Sequence, residues 1–269
     1  MTDGVATTDG SAGRRSTRRR AATTRRPRRR VSVVGVLGEL LITAGLLVLA
    51  FLGWQVWLGD IIVGGQMSAE GQEQSAEWNA DYSDLPPSEA GDPGLTAEPP
   101  VASTVGNAQQ FANLIIPRFG SDYYRPIAEG VGTTDVLNKG FIGHYPTTQM
   151  PGAVGNFALA SHRSSGGGNF HDLHQLLVGD SIYVETADGW YHYVFRNLEY
   201  VRPTGVGVLN PVPQTEGIDP TERYITLTTC NPFFSTAERL IAYGTYESFY
   251  PREGGVPAEI ASNVTTGAG

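Results

Sequence analysis

Cys230 is the single cysteine of a 269-residue chain, and it closes the run Tyr224-Ile225-Thr226-Leu227-Thr228-Thr229. Bulky and β-branched residues alternate through that run, a strand pattern, and Asn231-Pro232 stops it. The thiol is therefore expected at a strand end, where a side chain can face a cleft while its backbone stays anchored. Arg239 follows nine residues later and opens a second strand-like run, Leu240 to Tyr246. Two neighbouring strands joined by a short loop bring Cys230 and Arg239 together. A guanidinium beside a thiol favours the thiolate, the reactive form. With no second cysteine there is neither an intramolecular disulfide nor a cysteine cluster for zinc. Taken singly, Cys230 could equally be a small buried hydrophobe, and Arg239 a surface partner of Glu238 or Glu222.

A cysteine nucleophile needs a group that moves protons, and the chain holds five histidines. His162 ends the apolar run Asn156 to Ser161 and precedes a loop with three consecutive glycines, so a rigid element would hold it beside a mobile one. His144, next to Tyr145 in a Gly-rich stretch, is a candidate for lining a substrate groove. His171 and His174 lie three apart around Asp172, a spacing that suits a solvated face better than a metal site. His192 alternates with tyrosines and reads as an outward strand residue. The chemistry open to Cys230, His162 and Arg239 is acyl transfer. The thiolate attacks a carbonyl, the imidazole protonates the departing amine and later deprotonates an incoming one, and the guanidinium holds the oxyanion.

The elements that must position these groups divide the chain into five parts. Residues 1–30 carry ten arginines against two aspartates and show no apolar periodicity, the pattern of a disordered basic tail. Residues 31–58 are almost wholly apolar; Leu40 to Trp57 has no charge and is long enough to cross a membrane. Trp54 and Trp57 suit the far interface, and the arginines keep the tail cytoplasmic. A cleaved signal peptide is the alternative to this anchor. Residues 59–107 are acidic, with Gly, Ser and Pro-Pro pairs, and read as a stalk with at most a short helix around Ser68 to Trp78. Residues 108–252 form the folded domain, with about eight short strands and few helices. The strands are expected at Phe111 to Ile116, Asp122 to Ile127, Asn156 to Ser161, a hairpin of Ser181 to Thr186 with Trp190 to Phe195, and the two runs around Cys230 and Arg239. That count suits an all-β barrel or sandwich. Residues 253–269 read as a loose tail. Outside the basic tail the chain nets −16, so the overall −8 conceals two regions of opposite sign. The basic tail could suit nucleic acid, but the apolar segment after it assigns it to topology and anionic lipid.

Thr226-Leu227-Thr228-Thr229-Cys230 with arginine nine positions on resembles the signature of the sortases. Asn156 to Arg163 resembles their histidine strand, with Ser161 where glycine often stands. The order of anchor, stalk, histidine strand, cysteine strand and arginine agrees. Leu137-Asn138-Lys139-Gly140 through His144-Tyr145-Pro146 and Pro151-Gly152 is most similar to class E sortases of high-GC Gram-positive bacteria. The resemblance implies an eight-stranded β-barrel behind an N-terminal transmembrane helix and stalk. It implies cleavage of a C-terminal sorting signal, Leu-Ala-x-Thr-Gly or Leu-Pro-x-Thr-Gly, after its threonine. The acyl group passes through a thioester on Cys230 to an amine such as that of a lipid-linked peptidoglycan precursor. Cys230, His162 and Arg239 are then the catalytic residues. Tyr145, His144, Thr228 and Thr229 are the substrate-binding candidates, with Tyr145 reading the second signal position. Neither metal nor other cofactor is expected, nor a nucleic-acid partner. The partners are secreted proteins bearing the signal, an amine acceptor and the membrane, and the catalytic domain lies outside the cell. Two other readings stay open: a pilin-polymerising sortase with a lysine acceptor, and a non-catalytic anchored β-domain in which Cys230 is buried.

Overall fold

The computed structural model describes residues 32–54, 59–82 and 98–265. The basic tail, Trp57, the Pro86-Pro87 stretch and the last four residues lie outside these. The chain separates into two units, 1–47 and 48–269. α1, Val33–Gly53, is long and apolar enough to cross a membrane. Apart from Glu39 and Thr43 it is built of apolar residues and glycine, and its large side chains are exposed on every face. A helix that is apolar all round needs an apolar surrounding.

Eight strands form the second unit's barrel: β1 Gln110–Ile115, β2 Tyr124–Glu129, β3 Ile142–His144, β4 Gly155–Ala160, β5 Ser181–Thr186, β6 Gly189–Val201, β7 Arg223–Asn231 and β8 Glu238–Pro251. The sheet closes in the order β1-β2-β3-β4-β7-β8-β6-β5. Only β2–β3 and β4–β7 are parallel pairs; the rest are antiparallel. The expected strands are present. β3 was hidden in a stretch read as Gly-rich loop, because three residues are too few to show a period. Leu173–Gln175 makes a single 3-10 turn.

The strands alternate, with Phe157, Leu159, Ile225, Leu227, Leu240 and Ala242 pointing into the main core. On β1, β2, β5 and β6 the outward residues are buried too. Ile115, Tyr124, Tyr183 and Trp190 join Tyr250 and Ile260 in a second apolar cluster. Two segments bear on this outer face, and both correct the expected domain limits. Residues 59–78 are not stalk but α2, Gly59–Trp78, with Gly64, Met67, Ser68, Gly71 and Ser75 buried. Residues 252–265 are not a loose tail; two 3-10 turns and α3, Ala261–Thr265, bring in Ile260 and the buried Asn263.

A buried polar cluster joins these parts. Glu185 accepts from Ser75 Oγ (2.7 Å) and Tyr124, and pairs with Arg252 at 3.1 Å. Arg252 also donates to Asn79 Oδ1 (2.6 Å) and lies 4.7 Å over the Trp190 ring. Burial pushes the Glu185 carboxyl up and the Arg252 guanidinium down, and each charge opposes the other's shift. Removing one partner strands a buried charge, which costs about 3–5 kcal/mol. Sequence reading missed this because α2 has a sparse apolar stripe and several glycines. Two of those glycines, Gly64 and Gly71, are where the helix meets the barrel. A Cβ on Gly71 would stand 2.9 Å from both Asn113 Oδ1 and Tyr124 Cδ1.

Candidate active site

The register of three strands assembles the site. Cys230 on β7 pairs directly with Arg239 on β8. Paired residues of an antiparallel ladder project to the same face, with Cβ atoms about 4.5–5.5 Å apart. On the other side of β7, parallel β4 aligns Ala160 with Thr228. Ser161 N–H continues that ladder by donating to Thr228 O at 3.2 Å. Two residues past Ala160 stands His162, and two past Thr228 stands Cys230. A side-chain period of two puts both on the outward face. Cys230, His162 and Arg239 are all half-buried.

Each group has a local support. The His162 ring contacts Asn138 Oδ1 through Nε2 at 2.8 Å. Asn138 lies in the 3-10 turn Leu137–Lys139, which Gly140 ends in the left-handed region. An amide oxygen accepts here, so Nε2 carries the proton and Nδ1 is the basic nitrogen. Burial lowers the His162 pKa, and the charge of Asp60 opposes the shift. Burial thus disfavours the imidazolium. Arg239 Nη1 donates to the carbonyls of Thr236 (3.0 Å) and Glu238 (2.9 Å), which hold the guanidinium on the β7–β8 loop. The Glu238 carboxylate accepts from Asn231 Nδ2 instead (3.0 Å).

Arg163, beside the histidine, ties the two halves together. It is buried, donates to Asn231 Oδ1 and stacks 4.5 Å over the Phe233 ring. The ring of His171 meets the same phenylalanine edge-on at 4.7 Å. The strand carrying His162 thus grips the loop between Cys230 and Arg239.

The substrate-binding candidates separate. Tyr145 is half-buried, and its hydroxyl lies 3.0 Å from Thr228 Oγ1, on the outward face that holds Cys230. Around them that face carries only small residues of β4 and β7: Ala158, Ala160, Thr226 and Thr228. Thr229 points the other way; it is buried, and its hydroxyl donates to Ser161 O at 2.8 Å, cross-tying β7 to the histidine segment. His144 does not line a groove. It is 2% exposed, with Nδ1 2.7 Å from Glu129 and Nε2 3.1 Å from Gln149 O, and its ring stacks on Phe157. A histidine in a Gly-rich stretch looks exposed until β3 is seen to carry it inward. His192 is on the outward face as expected, paired with Tyr183, but it is half-buried there. It stacks 4.5 Å from Tyr183, and burial lowers its pKa against the charges of Glu259 and Glu247.

Among the described residues no three His, Cys, Asp or Glu side chains cluster as metal ligands. Asn138, Arg163 and Asp60 escaped sequence reasoning. Asn138 and Arg163 stood within the quoted motifs without a role of their own, and Asp60 gave no signal.

A closed β-barrel whose outward face gathers a strand-end cysteine, a histidine and an arginine defines a cysteine acyl-transfer scaffold. A sequence profile of the sortase domain matches residues 114–247. Sortase SrtE1 of Streptomyces coelicolor is 36% identical over 245 residues, covering 88% of this chain and 64% of that protein. Sortase SrtE2 of the same organism is 30% identical over 227 residues, covering 82% and 85%. The SrtA sortase from Actinomyces oris superposes with a TM-score of 0.58 at 38% identity, over 61% of this chain and 94% of that one. Sortase E1 from Streptomyces coelicolor, solved with a tripeptide in the active site, gives 0.54 at 41% identity, over 57% and 97%. The chain belongs to the sortase family of cysteine transpeptidases, and its curated relatives are class E members. It spans just under two thirds of the length of SrtE1.

Proposed function

We propose that this protein is a membrane-anchored sortase that cuts a Leu-Ala-x-Thr-Gly or Leu-Pro-x-Thr-Gly sorting signal after threonine and transfers the new acyl end to an amine. The observation that carries this reading is the register placing Cys230 directly opposite Arg239, two residues past the Ala160–Thr228 pair on the strand next to the segment that carries His162. His162 Nδ1 takes the Cys230 proton as sulfur attacks the threonine carbonyl carbon. The tetrahedral oxyanion lies against the Arg239 guanidinium, which its loop holds ready before the charge appears. Collapse breaks the Thr–Gly bond, and the imidazolium gives its proton to the departing glycine amine. The thioester remains. An acceptor amine then attacks it, His162 takes the amine's surplus proton, and returning that proton to sulfur restores the thiol. Tyr145, with Thr228, borders the small-residue floor and is the candidate for reading the second signal position.

An anchor helix of 21 residues, apolar but for Glu39 and Thr43, fits an enzyme working at the outer membrane face. There lipid-linked wall precursors are concentrated, and local concentration favours an amine over bulk water. A wall-precursor amine is the expected acceptor.

The test is cleavage of quenched fluorescent Leu-Ala-x-Thr-Gly and Leu-Pro-x-Thr-Gly peptides, with mass spectrometry for the acyl-enzyme. The expected result is Thr–Gly cleavage and an adduct on Cys230, both abolished in Cys230→Ala. Failure to cut either peptide or form an adduct, with a supplied amine and a folded domain, would overturn the specificity. Native-state inertness of Cys230 to alkylation would overturn the enzyme reading.

A further inference from the structure

The loop after His162 has an unusual backbone. Four successive residues, Ser165, Gly166, Gly167 and Gly168, have φ of 72°, 57°, 87° and 51°. Ser165 is the exception among them, since a side chain disfavours that region. Backbone N–H groups that a tight turn brings to one side can hold an anion. The anion here is Asp60, from the first turn of α2. Its carboxylate accepts the Ser165 N–H at 2.9 Å and the Gly167 N–H at 3.3 Å.

Gly166, between those two donors, lies against the catalytic imidazole. A Cβ there would stand 3.1 Å from His162 Cδ2 and 3.1 Å from Leu137 O. The ring is thus confined by Asn138 at Nε2 and by the Gly166 backbone at its Cδ2 edge. A cavity of about 730 Å³ opens between α2 and this loop, lined by Asp60, Gly64 and Ser68 on one side and Gly167, Asn169 and His171 on the other. Beside that cavity the two Asp60 bonds tie the loop to α2, while Phe170 N–H to His162 O at 3.1 Å closes its far end.

We infer that Asp60, a residue of the helix preceding the sortase domain proper, is a positioning residue for His162, and that α2 is a working part of the active site. This rests on the sortase reading for its kinetic arm alone. The Asp60 charge also favours the imidazolium, against the effect of burial.

The experiment uses the full chain in detergent micelles with Asp60→Asn, Asp60→Ala and Asp60→Glu. His162 is titrated by NMR through its ring carbon protons, assigned with His162→Gln, and peptide turnover is followed beside it. The inference expects the His162 pKa to fall in Asp60→Asn and Asp60→Ala and to return towards wild type in Asp60→Glu. It expects kcat in Asp60→Ala to drop by roughly tenfold, a displacement-sized effect, with KM within about twofold and the melting temperature unchanged. An unmoved His162 titration in folded Asp60→Ala would overturn it. So would a kcat loss that only follows a lowered melting temperature. If wild type cuts no peptide, the sortase specificity falls, while the titration still decides the role of Asp60.

Discussion

At the scale of single residues, the division of labour around Cys230 makes two substitutions informative. Arg239 faces the sulfur across the ladder, yet its contacts are backbone carbonyls of its own loop. It is anchored without being neutralised. Arg239→Ala is expected to lower kcat by about 10²–10³, the range for losing an oxyanion donor. Arg239→Lys should recover little of it, since an ammonium keeps the charge but not the planar fork; steady-state kinetics on the signal peptide decides. Asn138 is the second case. Asn138→Ala frees the imidazole to rotate and swap tautomers, with an expected loss of roughly tenfold or more in kcat. Asn138→Asp should instead raise the His162 pKa, because a carboxylate at Nε2 favours the imidazolium. The acid limb of the pH–rate profile would then move to higher pH.

The helices and strands show which parts of the molecule can be read without coordinates. Glycine placement on α2 supports a paired prediction. Gly71→Ala forces a methyl to 2.9 Å from Tyr124 and Asn113, and is expected to destabilise by about 1–3 kcal/mol despite alanine's better helix propensity. Gly65→Ala, exposed with nothing near its added methyl, should stabilise by up to about 1 kcal/mol. Thermal unfolding of the two variants measures the difference. The same glycines explain why α2 was taken for stalk. Gly, Ser and acidic residues signal loop by composition, and only a barrel face that tolerates close backbone approach turns them into a packed helix. The strands around Cys230 and His162 were legible because alternation there is strict and proline or glycine marks their ends. β3 was too short to announce itself, so His144 was assigned to a groove it does not line. The proposed trio of Cys230, His162 and Arg239 was legible because three chemically distinct residues fall in a fixed order. Asn138, Arg163 and Asp60 were not, because their roles come from tertiary approach across 24, 68 and 105 residues.

Across the whole molecule, charge and hydropathy are laid out in sequence: ten arginines in the first 30 residues, then α1, then an acidic body. The positive-inside rule sets the expected topology, with the tail in the cytoplasm and the barrel outside. Protease added to intact protoplasts should degrade the barrel and spare an epitope placed at the N-terminus. Carbonate extraction should leave the chain in the membrane fraction. Recovery of a chain lacking residues 31–58 would identify that segment as a cleaved signal instead. The parallel pairing of β4 with β7 has a further consequence, in time rather than space. Synthesis and export run from the N-terminus, so His162 emerges well before Cys230 and Arg239. Parallel strands separated by a long connection pair late, after local hairpins such as β5–β6 have closed. A nascent chain that has not reached Arg239 therefore holds a histidine and no site. With the proposed topology and activity, Cys230 meets Arg239 and His162 only when nearly all the polypeptide is across, so no half-made enzyme is available on the wrong side of the membrane.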